Sequence, residues 1–244
     1  MARSIKRIKR TEPIQLNHEE RYIAYLDILG FREMLASQNF ETDAASIVTA
    51  LQQRIDYDGK VFPQLRYLAV SDTIVIAAHQ GQGLLLCRRI AQVQTALLKL
   101  GFAIRGGVSF GEVLTHTTDQ GWNIFGNTFV EAYQAEQNLA IYPRVAVDER
   151  CAKLLREDVR TNSARKISTY ILRDADGVQF VNQFSSELIG LRSRVSNRMA
   201  ARANREMYRR AIVAAIEATK SEPRANMKWR WLNKQLVNQL DDKG

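Results

Sequence analysis

The apolar residues of this chain follow two rhythms. In RYIAYL, LRYLAV and TIVIAA they run on without alternation. That predicts a buried strand over 20–29 and two more strands on either side of Ser71-Asp72, both covered on two faces. In GLLLCRRIAQVQTALLKLG they return every three or four places, which predicts an amphipathic helix stopping at Gly101. FREMLASQ and DAASIVTALQQRI also read as helical. FAIRGGVSFGEVLTH reads as a pair of β runs whose three glycines mark a close approach of backbone or ligand. A helix over 127–139, a short RVAV strand and a hairpin turning at Asp176-Gly177 follow. From 186 the pattern is helical to the end, broken near Pro223. The predicted order is β-α-α-β-β-α-β-β-α-β-β-β and then a helical tail, with no internal repeat.

The 244 residues, 45% hydrophobic and 25% charged, suit one compact domain with terminal additions, or at most two small ones. No apolar run approaches the roughly 18 residues a membrane span needs. The start, MARSIKRIKR, lacks the apolar stretch of a secretory signal. Cys87 and Cys151 make no disulfide framework, so a cytoplasmic setting is expected. Three histidines without Cys/His pairing argue against structural zinc, so a metal here would take oxygen ligands. A net charge of +9 implies an anionic partner, and nucleic acid, a phosphorylated small molecule and an acidic protein fit it equally. Residues 1–18 read as a mobile basic arm. Arg194, Arg198, Arg202, Arg205 and Arg209 recur at helical spacing, which describes a solvated or dimer-facing surface first and a polyanion-binding stripe second.

Asp27 interrupts the apolar strand and precedes Gly30-Phe31. A buried carboxylate is costly without a compensating charge, so Asp27 either caps the next helix or holds a cation. Asp72 repeats the pattern between LRYLAV and TIVIAA. If those strands neighbour the first, two carboxylates converge at one sheet edge, which suits Mg²⁺ or Mn²⁺ carrying a nucleoside triphosphate. Ile28 would offer its carbonyl. The amides of Leu29, Gly30, Phe31 and Arg32 open a helix and would cradle phosphate oxygens.

These residues resemble the class III nucleotidyl cyclases. Leu26-Asp27-Ile28-Leu29-Gly30-Phe31 matches the family's first metal-binding turn and Ser71-Asp72 its second, 45 residues on. Arg105-Gly106-Gly107-Val108-Ser109-Phe110-Gly111 matches its R-x-G-I-x-x-G strand. The segment from Asn123 to Gln134 echoes D-I-W-G-x-x-V-N-x-A-x-R. The likeness runs from about residue 20 to 183 and implies an α/β (α+β) fold of ferredoxin-like type, with a helical C-terminal extension. The expected divisions are 1–18, the basic arm; 19–184, the catalytic domain; and 185–244, the extension.

The departures narrow the resemblance. Leu68 stands where purine cyclases carry a base-reading Lys, and Asn123 where they carry an Asp. Val130 and Gln134 replace the helix Asn and Arg, and Glu112 falls where some cyclases have an Arg. Kept metal ligands with altered base positions look like the pyrimidine cyclases of bacterial Pycsar antiphage systems, as do PRVAVDE and the tail KWRWLNKQLVNQL. The resemblance implies a homodimer with composite active sites at its interface, two Mg²⁺ or Mn²⁺ per site, UTP or CTP as substrate, and a separate effector protein that responds to the cyclic nucleotide. It places Asp27 and Asp72 on the metals, with Asn127 and Gln134 donating to oxygens of the reacting phosphoryl group and Arg173 binding phosphate. Asn123, Leu68 and Arg105 would lie at the base, although Arg105 is read first as the partner of a nearby carboxylate. Two other classes stay open: a purine cyclase, and a degenerate cyclase-fold sensor or polyanion binder. A nucleic-acid module is disfavoured, because it leaves the paired aspartates unexplained.

Overall fold

The computed structural model describes residues 15–62, 64–118, 121–162, 170–185 and 195–241. β1 (Asn17–Ile28) leads through the short α1 (Phe31–Leu35) and the long α2 (Phe40–Val61) to the hairpin β2 (Arg66–Val70) and β3 (Thr73–His79). Then come α3 (Gly83–Lys99) and β4 (Ile104–Thr118). Within this β-α-β-β-α-β unit the strands lie in the order β2-β3-β1-β4, every neighbouring pair antiparallel. That is the ferredoxin-like arrangement.

The chain continues through β5 (Gly121–Phe125), α4 (Asn127–Leu139), β6 (Val145–Val147) and α5 (Glu149–Asn162). β7 (Ile171–Arg173) and β8 (Gln179–Val181) follow, then α6 (Val195–Ala218) and α7 (Pro223–Asp241). β6, β8 and β7 widen the sheet beyond β4, while β5 folds back on the distal half of β4.

Strand alternation sorts β1 between two cores. Tyr22, Ala24, Leu26 and Ile28 face α2, α3 and α5, meeting Ile47, Leu86, Ile90 and Leu155. Ile23, Tyr25 and Asp27 face the opposite side, where α4 lies across β1 and β4. A third cluster joins α6 and α7 to the body through Tyr208, Ile212, Trp231 and Leu232 against Leu98, Ala103 and Phe180. Trp231 stacks on Tyr142 at 5.3 Å, and its indole N–H donates to Asp174 at 2.7 Å. The buried Arg144 holds Asp174 at 2.8 Å and Asp176 at 2.5 Å, fixing the β7–β8 turn beneath α7.

Several local signals act as expected. α3 ends in a Schellman motif: Gly101 takes φ 89 and donates to Leu98, while Phe102 donates to Leu97. Gly177, at φ 83, turns the last hairpin. Other expectations are corrected. β1 starts at Asn17, so Asn17 and His18 pair with β4 instead of belonging to an arm. β2 is an edge strand with Leu68, Ala69 and Val70 exposed, not covered on both faces. From Ile104 the FAIRGGVSFGEVLTH segment runs on to Thr118 as one strand of 15 residues, not a pair of runs.

The glycines of β4 make room without breaking the strand. A Cβ on Gly107 would stand 2.2 Å from the Ala132 carbonyl of α4, and one on Gly106 would stand 2.5 Å from the Tyr25 carbonyl. Helix α5 was not anticipated; its buried side, Cys151, Ala152 and Leu155, is interleaved with charges. Residues 1–14 and 186–194, Arg194 among them, lie outside the described residues, as does the side chain of Arg198. Arg209 pairs with Glu206 at 3.1 Å on the exposed side of α6. Among the described residues no helix is long and apolar enough to cross a membrane.

Candidate active site

β1 and β3 are neighbours, and Asp27 lies opposite Thr73 in their register. Asp72 occupies the turn just before Thr73, where Ser71 takes φ 58 to complete the tight hairpin. The Ile28 amide donates to the Asp72 carbonyl at 3.1 Å, which ties the two strand ends together. The two aspartates therefore lie at adjoining strand ends. Burial raises the Asp27 pKa above its ordinary value, and the charge of Asp72 pushes the same way. Asp27 is not a helix cap: Gly30, at φ 80, holds the N-cap position of α1, with no side-chain cap.

On its other flank Asp27 lies opposite Arg105 of β4. The Arg105 guanidinium donates to Asp27 at 3.1 Å and lies 2.5 Å from Glu136 of α4. The Glu136 carboxylate is wholly buried, and this burial raises its pKa against the lowering pull of Arg105. Arg105 thus bridges a candidate metal ligand and a buried anchor. Glu136 was missed in sequence because it looks like any acidic residue in a mixed helix. Only the close approach of α4, permitted by Gly107, brings it to the strand. Tyr25 walls the same face, its hydroxyl sharing a 3.1 Å hydrogen bond with Thr73 and its ring edge-on to Phe129 and Tyr133.

The other candidates divide by position. Ile28, Leu29, Gly30, Phe31 and Arg32 lie at the Asp27 end of the sheet, although the Leu29 amide is already committed to the Ala103 carbonyl at 2.9 Å. Phe31 and Arg32 start a helix whose first-turn amides have no acceptor within the helix. Leu68 lies on β2 opposite Val75 and is exposed. Asn123 is in strand β5, not a turn, and pairs with His116. His116 is eleven residues along β4 from Arg105, so Asn123 sits roughly 35 Å from Asp27 within one protomer, at about 3.3 Å per residue. Asn127 and Gln134 are exposed on α4. Arg173 lies on the far edge strand and donates to the Gly177 carbonyl at 3.3 Å. One chain alone does not bring Asn123 or Arg173 to Asp27.

The donor set suits a hard divalent cation: two carboxylates whose mutual repulsion a cation would relieve. Among the described residues no third carboxylate, His or Cys completes a metal cluster with them, so the remaining ligands would come from backbone, substrate and water. Arg105 would have to release Asp27 while keeping Glu136.

The fold is similar to that of a solved nucleotidyl cyclase domain. Its solved-structure neighbours are adenylyl and guanylyl cyclase domains. An adenylyl cyclase from P. aeruginosa aligns with a TM-score of 0.50 at 15% identity, over 68% of this chain and 94% of that one. A double mutant of the guanylyl cyclase domain of the RhoGC fusion protein from the aquatic fungus Blastocladiella emersonii aligns at a TM-score of 0.48 and 14% identity, over 68% and 94% of the two chains. At such identities the likeness is one of fold. No protein-family model and no curated protein matches the sequence.

Proposed function

We propose that the protein is a nucleotidyl cyclase that converts a pyrimidine nucleoside triphosphate, UTP ahead of CTP, to its 3′,5′-cyclic monophosphate and pyrophosphate. The observation that carries this reading is the placement of Asp27 and Asp72 at adjoining strand ends. These two carboxylates, with the Ile28 carbonyl, would hold Mg²⁺ or Mn²⁺, two per site. The metals would acidify the ribose 3′-hydroxyl and neutralise the triphosphate. The chain itself positions: Gly30 lets the backbone of Phe31 and Arg32 close on phosphate oxygens, and Tyr25 and α4 exclude water from one side.

Asn123 and Arg173 lie apart from Asp27 in one protomer, and Asn127 and Gln134 are exposed on α4. The first two complete the site only from a second copy, so the working unit is a homodimer. Phe125 of β5 and Val130 and Tyr133 of α4 are exposed, as are Leu68 and Val70 on β2, and burying them would favour that pairing. Leu68 offers no cation to a purine, and the Asn123 amide can meet both the N3–H and O4 of uracil or rotate to suit cytosine. The resemblance to Pycsar cyclases supports a second-messenger role in antiphage defence, with a separate effector protein and a cytoplasmic location. Arg105 on Asp27, together with Val130 and Gln134 in place of the family's helix Asn and Arg, favours a second reading: a nucleotide sensor that binds without turnover.

One assay separates them. The protein is incubated with equimolar ATP, GTP, CTP and UTP and Mn²⁺, and products are read by mass spectrometry. Cyclic UMP is expected, and cyclic CMP would revise only the choice of pyrimidine. Predominant cyclic AMP or cyclic GMP refutes the pyrimidine assignment. Bound but unchanged nucleotide supports the sensor.

A further inference from the structure

Beside the aspartates a cavity of about 960 Å³ opens between the Leu29-Gly30 turn, the α3–β4 turn and the α6–α7 corner. Gly30 lies on its wall, and its charged lining is Glu33, Asp43 and Glu222 with Arg224 and Lys228. Lys228 lies on the anchored side of α7: Trp231 and Leu232, three and four residues on, are buried in the body of the protein. The Asn226 side chain, donating to the Ile216 carbonyl at 2.7 Å, pins the start of the helix to α6. Lys228 therefore stands at a fixed place and not on a swinging tail.

The lysine is half-buried, and no carboxylate among the described residues comes within ion-pair distance of it. Burial, then the charge of Arg105, hold its pKa below the ordinary lysine value, while Asp27, Glu33 and Glu136 pull the other way. A partly desolvated cation without a contact partner, facing a roomy cavity that reaches the expected phosphate turn, is arranged for an anion that enters from solution.

We propose that Lys228, from the C-terminal helix pair, is a triphosphate-binding residue of the same protomer that carries Asp27. It would meet the β- and γ-phosphates as they pass Gly30, while Arg224 adds charge at the mouth. This deepens the cyclase reading and rests on it for the identity of the ligand. It also gives α6 and α7 a part in the site: they bring a cation to the end of β1, where Arg105 is already engaged by two carboxylates. The competing account is that Lys228 only offsets the acidic groups around it. In that case its loss would change stability but not anion affinity.

The test is calorimetric titration of inorganic tripolyphosphate into the full-length protein, with and without Mn²⁺, for wild type, Lys228→Met and Lys228→Arg. Loss of one charge-assisted contact should weaken tripolyphosphate binding about tenfold or more in Lys228→Met, with Lys228→Arg restoring most of it. With nucleotide, KM should rise more than kcat falls. Circular dichroism and thermal melting establish that the variants are folded. If Lys228→Met does not fold, Lys228→Gln, which keeps a polar side chain, takes its place. A folded neutral variant that binds tripolyphosphate like wild type overturns the proposal, as does a wild type that does not bind it. If Asp27→Asn abolishes cyclisation while Lys228→Met leaves binding intact, this inference alone fails. If wild type forms no cyclic nucleotide yet needs Lys228 to bind tripolyphosphate, the cyclase reading fails and the anion site stands.

Discussion

Replacing Arg105 by Met isolates the bridge between the candidate metal ligand and the core. In the native protein the guanidinium lies 2.5 Å from Glu136 and 3.1 Å from Asp27. Glu136 is 0% exposed in its side chain, and Arg105 is 24% exposed. Removing one partner of a fully buried ion pair costs about 3–5 kcal/mol, because the other charge is left uncompensated. Arg105 retains a path to water, so the lower end, about 3 kcal/mol, is expected. For a chain of this size that corresponds to a melting point lower by roughly 6–12 °C.

The loss should depend on pH in a definite sense. Glu136 already has a raised pKa from burial, and Arg105 supplies the largest opposing pull. Without Arg105 its folded pKa climbs further above the unfolded value. Between those two values the native state holds a proton that the unfolded state has released, so stability falls as pH rises through that window. The deficit should therefore be full near neutrality and shrink as pH drops toward the ordinary carboxylate range. Urea denaturation at several pH values measures it. The double variant Arg105→Met/Glu136→Gln should recover to within about 1 kcal/mol of wild type, because no buried charge is left. A single variant that loses under about 1 kcal/mol at neutral pH, or a double variant no better than the single, would refute the reasoning.

Asp27→Asn tests the cost of the carboxylate pair. The folded Asp27 pKa is raised above the ordinary 3.8, so wild type loses stability as pH climbs from there through the folded value. The variant lacks that loss, so its stability relative to wild type should increase across that range, as measured by pH-resolved melting, while cyclic-nucleotide formation disappears. Gly107→Ala should destabilise by about 1–3 kcal/mol in chemical denaturation, since its Cβ would meet the backbone of α4 at 2.2 Å. A neutral result would mean that α4 can retreat from β4. Arg144→Met should cost about 3–5 kcal/mol and loosen α7, because it strands Asp174 beneath Trp231; tryptophan fluorescence during unfolding reports it. Mixing an Asp72→Ala subunit with an Asn123→Ala/Gln134→Ala subunit should restore turnover that neither has alone, and a fully active monomer in sedimentation would contradict the composite site.

Much of this architecture is written in short stretches of sequence. Gly101 and the Asp176-Gly177 pair stop or turn the chain through their own backbone preferences. Asp27 and Asp72 could be singled out because each breaks an apolar run at a strand end, and that pattern is visible without a third dimension. What residues do across the sheet was settled only by packing. The glycines of β4 mark a close approach in the sequence, but only the fold shows that the strand stays whole and that α4 is what presses against it. Glu136 carried no local mark, and its partnership with Arg105 spans 31 residues and depends on that close approach. Asn123 shared a motif with the helix that follows, but its place on the distal arm of β4 separates it from Asp27 within one chain. Lys228 looked like one charge among many in a basic tail until Trp231 and Leu232 fixed α7 beside the site. Local conformational preference and apolar periodicity act within a few residues and survive in a bare sequence. Ion pairing and desolvation depend on distances between residues far apart in the chain, and those exist only once the chain has folded.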